Sequence, residues 1–101
     1  MTNIFKLDIP PYPYLSQVLK HCPLAASTYV ELWRHKDKNH KVSVDKEDIR
    51  ATFMVVPTKF RNDCLLLVNE GLINVDETKS VNGQWYRLKI EMVNFDEEYE
   101  D

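Results

Sequence analysis

Five side chains invite a metal or nucleophile reading: His21, Cys22, His35, His40 and Cys64. A zinc site usually declares itself by C-x-x-C or H-x-x-x-H spacing, and no pair here has it. No serine or cysteine stands in a glycine-rich elbow, and no two carboxylates are framed by an apolar cleft, so catalysis lacks its parts. No metal, no cofactor and no enzymatic activity are expected. Cys64 falls on an apolar stripe and reads as a small core group. What remains is the chemistry of hydrogen bonding and charge. Thr58, Lys59, Arg61 and Asn62 crowd the start of a segment with helical period. Basic residues there oppose the helix dipole, which prefers acids at that end, and this points them toward a ligand.

The elements that must position these residues follow from periodicity and punctuation. Residues 1–14 hold Pro10, Pro11 and Pro13, which fix φ and remove N–H donors, so an extended arm is expected, with Ile4, Phe5, Leu7 and Ile9 packing it on the body. Leu15, Val18 and Leu19 suit a short helix over 15–21. Pro23 opens a helix in which Ala25, Tyr29, Leu32 and Trp33 form one stripe, ending in Arg34-His35-Lys36. Residues 37–41 are a polar loop, and Val42-Ser43-Val44 alternates as a short strand. Asp45 is the expected N-cap of a helix over 46–53 carrying Ile49 and Phe53. Pro57 forces Val56 out of the helical region. Phe60, Cys64, Leu67, Val68 and Gly71 then share one side of a helix from Pro57 or Thr58 to about Glu70, with Gly71 as its left-handed cap. Leu72-Ile73-Asn74-Val75 and Trp85 to Val93 read as strands. Between them the polar stretch Asp76 to Gln84 contains Asn82-Gly83, a hairpin-turn dipeptide. Trp33, Trp85 and Tyr86 are expected to fill the core.

Length and charge set the outer limits. The chain has 101 residues, 44% hydrophobic and 29% charged, which suits one small globular domain. Its formal charge of −3 hides an asymmetry, because residues 96–101 hold five of the acids and residues 1–95 carry +2. That end is an acidic tail, either solubilising or competing for a basic surface. No apolar run approaches the roughly 18 residues of a membrane span. The first residues lack the layout of a secretory signal, two cysteines make no disulfide framework, and two glycines leave no phosphate-cradling loop. A cytoplasmic, intracellular domain is expected, with no membrane contact.

Between Val44 and Val75 the sequence resembles winged helix–turn–helix regulators of the MarR and GntR kind. Ile49, Phe53, Val55, Phe60, Cys64, Leu67 and the Gly71-Leu72-Ile73 ending stand where those proteins have their apolar core and "GLI" turn into the wing. A weaker resemblance, carried by Phe5-Lys6-Leu7-Asp8-Ile9-Pro10 and by Ala25, Tyr29 and Leu32, is to winged helices of plasmid and phage replication initiators. The resemblance implies an α+β fold, a three-helix core with a C-terminal β-hairpin wing, over residues 15–95, plus the extended arm 1–14 and the tail 96–101. It departs at Arg50, where a small residue is usual, at Met54, where a turn glycine is usual, and at Val56-Pro57, which leaves Thr58 to cap.

The function so implied is binding of double-stranded DNA, in transcription regulation or in replication of a mobile genetic element such as a phage or plasmid. In a major groove, Asn62 suits a bidentate contact with adenine, Arg61 guanine or phosphate, Lys59 phosphate, and Thr58 phosphate or a thymine methyl. Lys79, Ser80, Asn82 and Gln84 lie on the expected wing, and Lys41 offers a further phosphate contact from the loop after the first helix. Leu65 and Leu66 fall on the same outward side, an apolar pair covered either by the arm or by a second subunit or partner protein. The rival reading is accordingly a winged helix turned to protein–protein contact, without direct DNA binding.

Overall fold

Proline sets where the first helix begins. The computed structural model describes residues 9–93, so the expected arm before Ile9 and the acidic tail 96–101 lie outside the described residues. Helix α1 spans Tyr12–His21, with Pro11 (φ −56°) as its N-cap residue and Pro13 in its first turn. It starts three residues before the predicted helix and takes Tyr12, Pro13 and Tyr14 out of the expected extended arm. The physical reason is that first-turn N–H groups have no helical partner, so proline costs nothing there. Pro10 is buried and Ile9 is exposed. A 3-10 turn, Pro23–Ala25, leads into α2, Ala26–His35, which buries Thr28, Tyr29, Leu32 and Trp33.

Strand β1 is Lys41–Asp45, and a 3-10 turn, Lys46–Asp48, leads to the short α3, Ile49–Phe53. Asp45 is not the cap of that helix: no side chain caps it, and the Asp45 carboxylate instead accepts from Arg87 Nε at 2.6 Å. Helix α4 is Pro57–Asn69, with Val56 extended before it. Thr58 lies inside the helix and does not cap it. At its end Leu72 N–H donates to Leu67 O at 3.1 Å and Gly71 N–H to Val68 O at 2.9 Å, the paired bonds of a Schellman cap with Gly71 at φ +76°.

Strands β2, Ile73–Lys79, and β3, Trp85–Met92, form the hairpin, and β1 pairs on the other side of β3 in an antiparallel sheet ordered β1-β3-β2. β2 runs four residues past Val75, so the connection expected over Asp76–Gln84 shrinks to residues 80–84. The register places Val42 opposite Ile90, Val44 opposite Leu88, and Ile73 opposite Met92, all buried. One face of the sheet thus meets the helices. The other carries Lys41, Ser43, Asp45, Arg87, Lys89, Glu91, Asn74, Asp76 and Thr78, a wholly polar surface. The ladder slips between Thr78, opposite Arg87, and Lys79, opposite Trp85, leaving Tyr86 as a bulge. Tyr86 is exposed, contrary to the expected core position, while Trp33 is buried and Trp85 packs half-buried on the core. The fold is α+β, four helices and three strands among the described residues, around Tyr29, Leu32, Ile49, Phe60, Leu67, Leu72, Leu88 and Ile90.

Two turn residues test the same physics with opposite sign. Met54 joins α3 to α4 at φ +64° with 82% of its surface exposed, so it carries left-handed strain for little packing. Met54→Gly is expected to raise the unfolding free energy by about 1 kcal/mol. Gly71→Ala, in open space but at positive φ, is expected to lower it by a similar amount, both read by urea melts.

Candidate functional site

Helix α4 is sorted into an inside, an outside and two pinned flanks. Phe60, Asp63, Cys64 and Leu67 face in, while Thr58, Asn62, Leu65, Leu66 and Asn69 face out. Asn62 and Thr58 make no side-chain hydrogen bond or ion pair among the described residues. Burial pushes the Cys64 thiol up to about 12, which leaves it an inert core group. Burial, with the nearby charges of Glu70 and Asp63, also raises Cys22.

One flank of α4 is fixed by a buried acid. Asp63 is 3% exposed, and its Oδ2 accepts from the Thr28 hydroxyl of α2 at 2.7 Å and from Lys59 Nζ at 2.7 Å. Lys59 also reaches the Leu24 carbonyl at 3.3 Å. The ammonium expected to meet phosphate is therefore turned toward α2 and its entry. Glu70, the residue capping the C-terminal end, continues this seam, accepting from Gln17 at 2.9 Å and lying 2.8 Å from His21 Nδ1 of α1. Those two partners hold its carboxyl below the ordinary range.

The other flank meets the hairpin. Arg61 Nε donates to Glu77 Oε2, and Lys79 Nζ lies 3.9 Å from the second oxygen of the same carboxylate. Glu77 shares the sheet face of Ile73 and Val75, so its side chain points toward α4 and not toward the polar outer face. The Arg61 guanidinium holds the Glu77 carboxyl below its ordinary range, and that bond raises Arg61 in turn. Arg61 and Lys79, predicted from sequence as separate contacts, are thus brought together by an acid that the sequence did not single out.

The remaining predicted residues divide. Ser80, Asn82 and Gln84 sit exposed in the turn but bond one another: Ser80 Oγ donates to Asn82 Oδ1, and Gln84 N–H donates to that same oxygen at 3.1 Å. Lys41 is not brought to this site. It lies on the polar outer face, opposite Glu91, at the end of the sheet away from the turn. Leu65 and Leu66 are each 40% exposed. Three further side chains were not among the residues expected at the site. Tyr86 lines a recess with Asp45, Lys46, Glu47 and Pro57; Lys46 Nζ lies 4.7 Å over the Trp85 ring; and Arg50 is exposed on α3. No group of three metal-binding side chains is assembled among the described residues, and no helix among them is long and apolar enough to cross a membrane.

Compared with protein families, with curated proteins and with solved structures, the chain matches none.

Two stability measurements check this geometry. Asp63→Ala strands the Thr28 hydroxyl and opens a void, and should lower the unfolding free energy by about 2–3 kcal/mol. For Glu70 and Glu77, whose folded-state values are depressed, the stabilisation is fully present above the unfolded value of about 4.3 and is lost as pH falls through the lowered ones. Urea midpoints should therefore hold steady down to about pH 5 and fall with further acidification, and Glu77→Gln should flatten part of that slope.

Proposed function

We propose that this chain is a winged helix–turn–helix domain that binds double-stranded DNA, with α4 as recognition helix and the β2–β3 hairpin as wing. The order α1, α2, β1, α3, α4, β2, β3, with β1 beside β3, supports that reading of the fold. The observation that carries the function is the contact of one carboxylate, Glu77, with a cation of the helix and a cation of the hairpin. It sets the hairpin alongside α4, so that Thr58 and Asn62 on the helix and the turn beyond Lys79 address one partner together. Helix insertion with a hairpin on the neighbouring backbone uses that arrangement. Asn62 reads a base edge, since its amide is exposed and has no hydrogen-bond partner among the described residues. Thr58, Arg61 and Lys79 contact backbone. Such a domain serves transcription regulation or replication of a mobile element, and it acts in the cytoplasm without a cofactor.

A second reading is favoured by Leu65 and Leu66, both part-exposed on the outward face, and by the pairing of Lys59 with Asp63. It makes the α4 face a contact for a second copy or a partner protein, with no DNA bound.

Anisotropy with a random duplex at about 50 and 200 mM salt separates the two. DNA binding predicts dissociation constants of about 10⁻⁴–10⁻⁶ M that weaken steeply with salt. Selection of preferred sites from a random library, followed by Asn62→Ala, should relax one adenine position by about 1–3 kcal/mol. Absence of any salt-dependent binding, with Leu65→Ser/Leu66→Ser dissolving a self-association seen by light scattering, would establish the second reading.

A further inference from the structure

Each cation expected at the α4 face already has an internal acid, but the acids are not equivalent. Asp63 is enclosed and shared with Thr28, so Lys59 completes a piece of the core. Glu77 is different. It keeps 17% of its side chain exposed, at the junction between the helix and the hairpin. It bonds Arg61, whose side chain is 34% exposed, and it is approached loosely by Lys79, 56% exposed, at 3.9 Å. Apart from these two cations it has no side-chain hydrogen-bond or ion-pair partner among the described residues. A carboxylate so placed does in the free protein what a phosphate oxygen would do in a complex: it accepts from Arg61 and balances Lys79.

We propose that Glu77 is an internal competitor for the polyanion, occupying Arg61 and Lys79 until a backbone phosphate displaces it. The proposal rests on the DNA reading above and adds its regulation. Guanidinium groups form comparable charge-assisted bonds with carboxylate and phosphate, so the exchange conserves contacts. What changes is the charge next to the bound phosphate, where Glu77 stays as a like charge after its cations have left. Affinity is thereby held down, and the loss is largest at low salt, where charges are least screened. With each helix-flank cation answered by an acid, non-specific attraction to DNA is weak, and base contacts such as Asn62 carry proportionally more of the selection.

The test uses the full chain, wild type, Glu77→Gln and Glu77→Thr, with a random 20-base-pair duplex in fluorescence anisotropy at about 50 and 200 mM salt. Gln preserves an acceptor for Arg61, and Thr suits a strand, so one variant keeps the fold if the other does not. Both should bind about tenfold tighter at the lower salt, with a slope of log K against log salt steeper by about 1–2, one unit for each cation released. Glu91→Gln, on the opposite face of the sheet, is the control for net charge and should change affinity less than about twofold. Wild-type binding that is unchanged or weakened in the Glu77 variants, or a gain matched by Glu91→Gln, overturns the competitor and leaves the DNA reading intact. No binding by wild type or any variant overturns the DNA reading itself.

Discussion

A carboxylate enclosed in a core of this size is the constraint around which α4 is arranged. Asp63 sits among Phe60, Cys64 and Leu67 on the inward side of the helix, and an unpaired charge there would cost several kcal/mol. It is tolerated because Thr28 donates from α2 and Lys59 from one turn earlier on α4. Lys59 turns with α4, but Thr28 belongs to another helix, so its bond to Asp63 fixes the rotation of α4 about its own axis. An apolar stripe alone tolerates some rolling, since Leu65 or Leu66 brought inward would bury as much surface as the residues displaced. With Asp63 held at Thr28, such a roll would expose the bond and strand the hydroxyl. That Thr58 and Asn62 face outward is a consequence.

The same constraint makes the two flanks of α4 unequal. On the α2 side, withdrawing Lys59 would leave Asp63 buried with a hydroxyl and no counter-charge, so that cation is not exchangeable at low cost. On the β2 side, Glu77 and its cations remain in contact with water, where an ion pair contributes roughly 0–1 kcal/mol and can re-form with another anion. The cations available to a polyanion therefore lie toward the hairpin and not toward α2. Lys59 and Arg61, two residues apart and alike in charge, have different parts to play.

How much of this was legible in the sequence depends on the range of each interaction. Phe60, Cys64 and Leu67 announce the buried side of α4, and Gly71 its end, because period and cap are local properties. The Lys59–Asp63 pair was equally local, at i and i+4, but an acid on an apolar stripe gives no signal until Thr28, 35 residues earlier, is known to face it. Arg61 and Glu77 are 16 residues apart and meet only because β2 packs on α4. Glu77 was further hidden because Asp76-Glu77-Thr78-Lys79 has the composition of a loop. It becomes strand because β3 offers a ladder there, with Glu77 opposite the buried Leu88. Asp45 misled for a related reason. Its position before a helical segment suits a cap, yet the 3-10 turn intervenes, and Arg87 across the sheet makes the better charge-assisted bond.

Arg50 and Met54, two positions at which the sequence departs from the pattern it resembles, follow the same physical terms. Arg50 stands where a small residue would let two helices close up, but α3 is five residues long and turns Arg50 to solvent while Ile49 and Phe53 face in. Met54 takes the left-handed conformation usually given to glycine, and the strain is local to one exposed residue. Phe53 nevertheless reaches Phe60 with ring centroids 4.6 Å apart, so the turn still delivers α3 onto α4. A turn held by packing on both sides needs no particular residue at its apex, provided the apex is exposed. The packing of α3 on α4 is accordingly held by the Phe53–Phe60 ring contact and not by a particular residue at the turn.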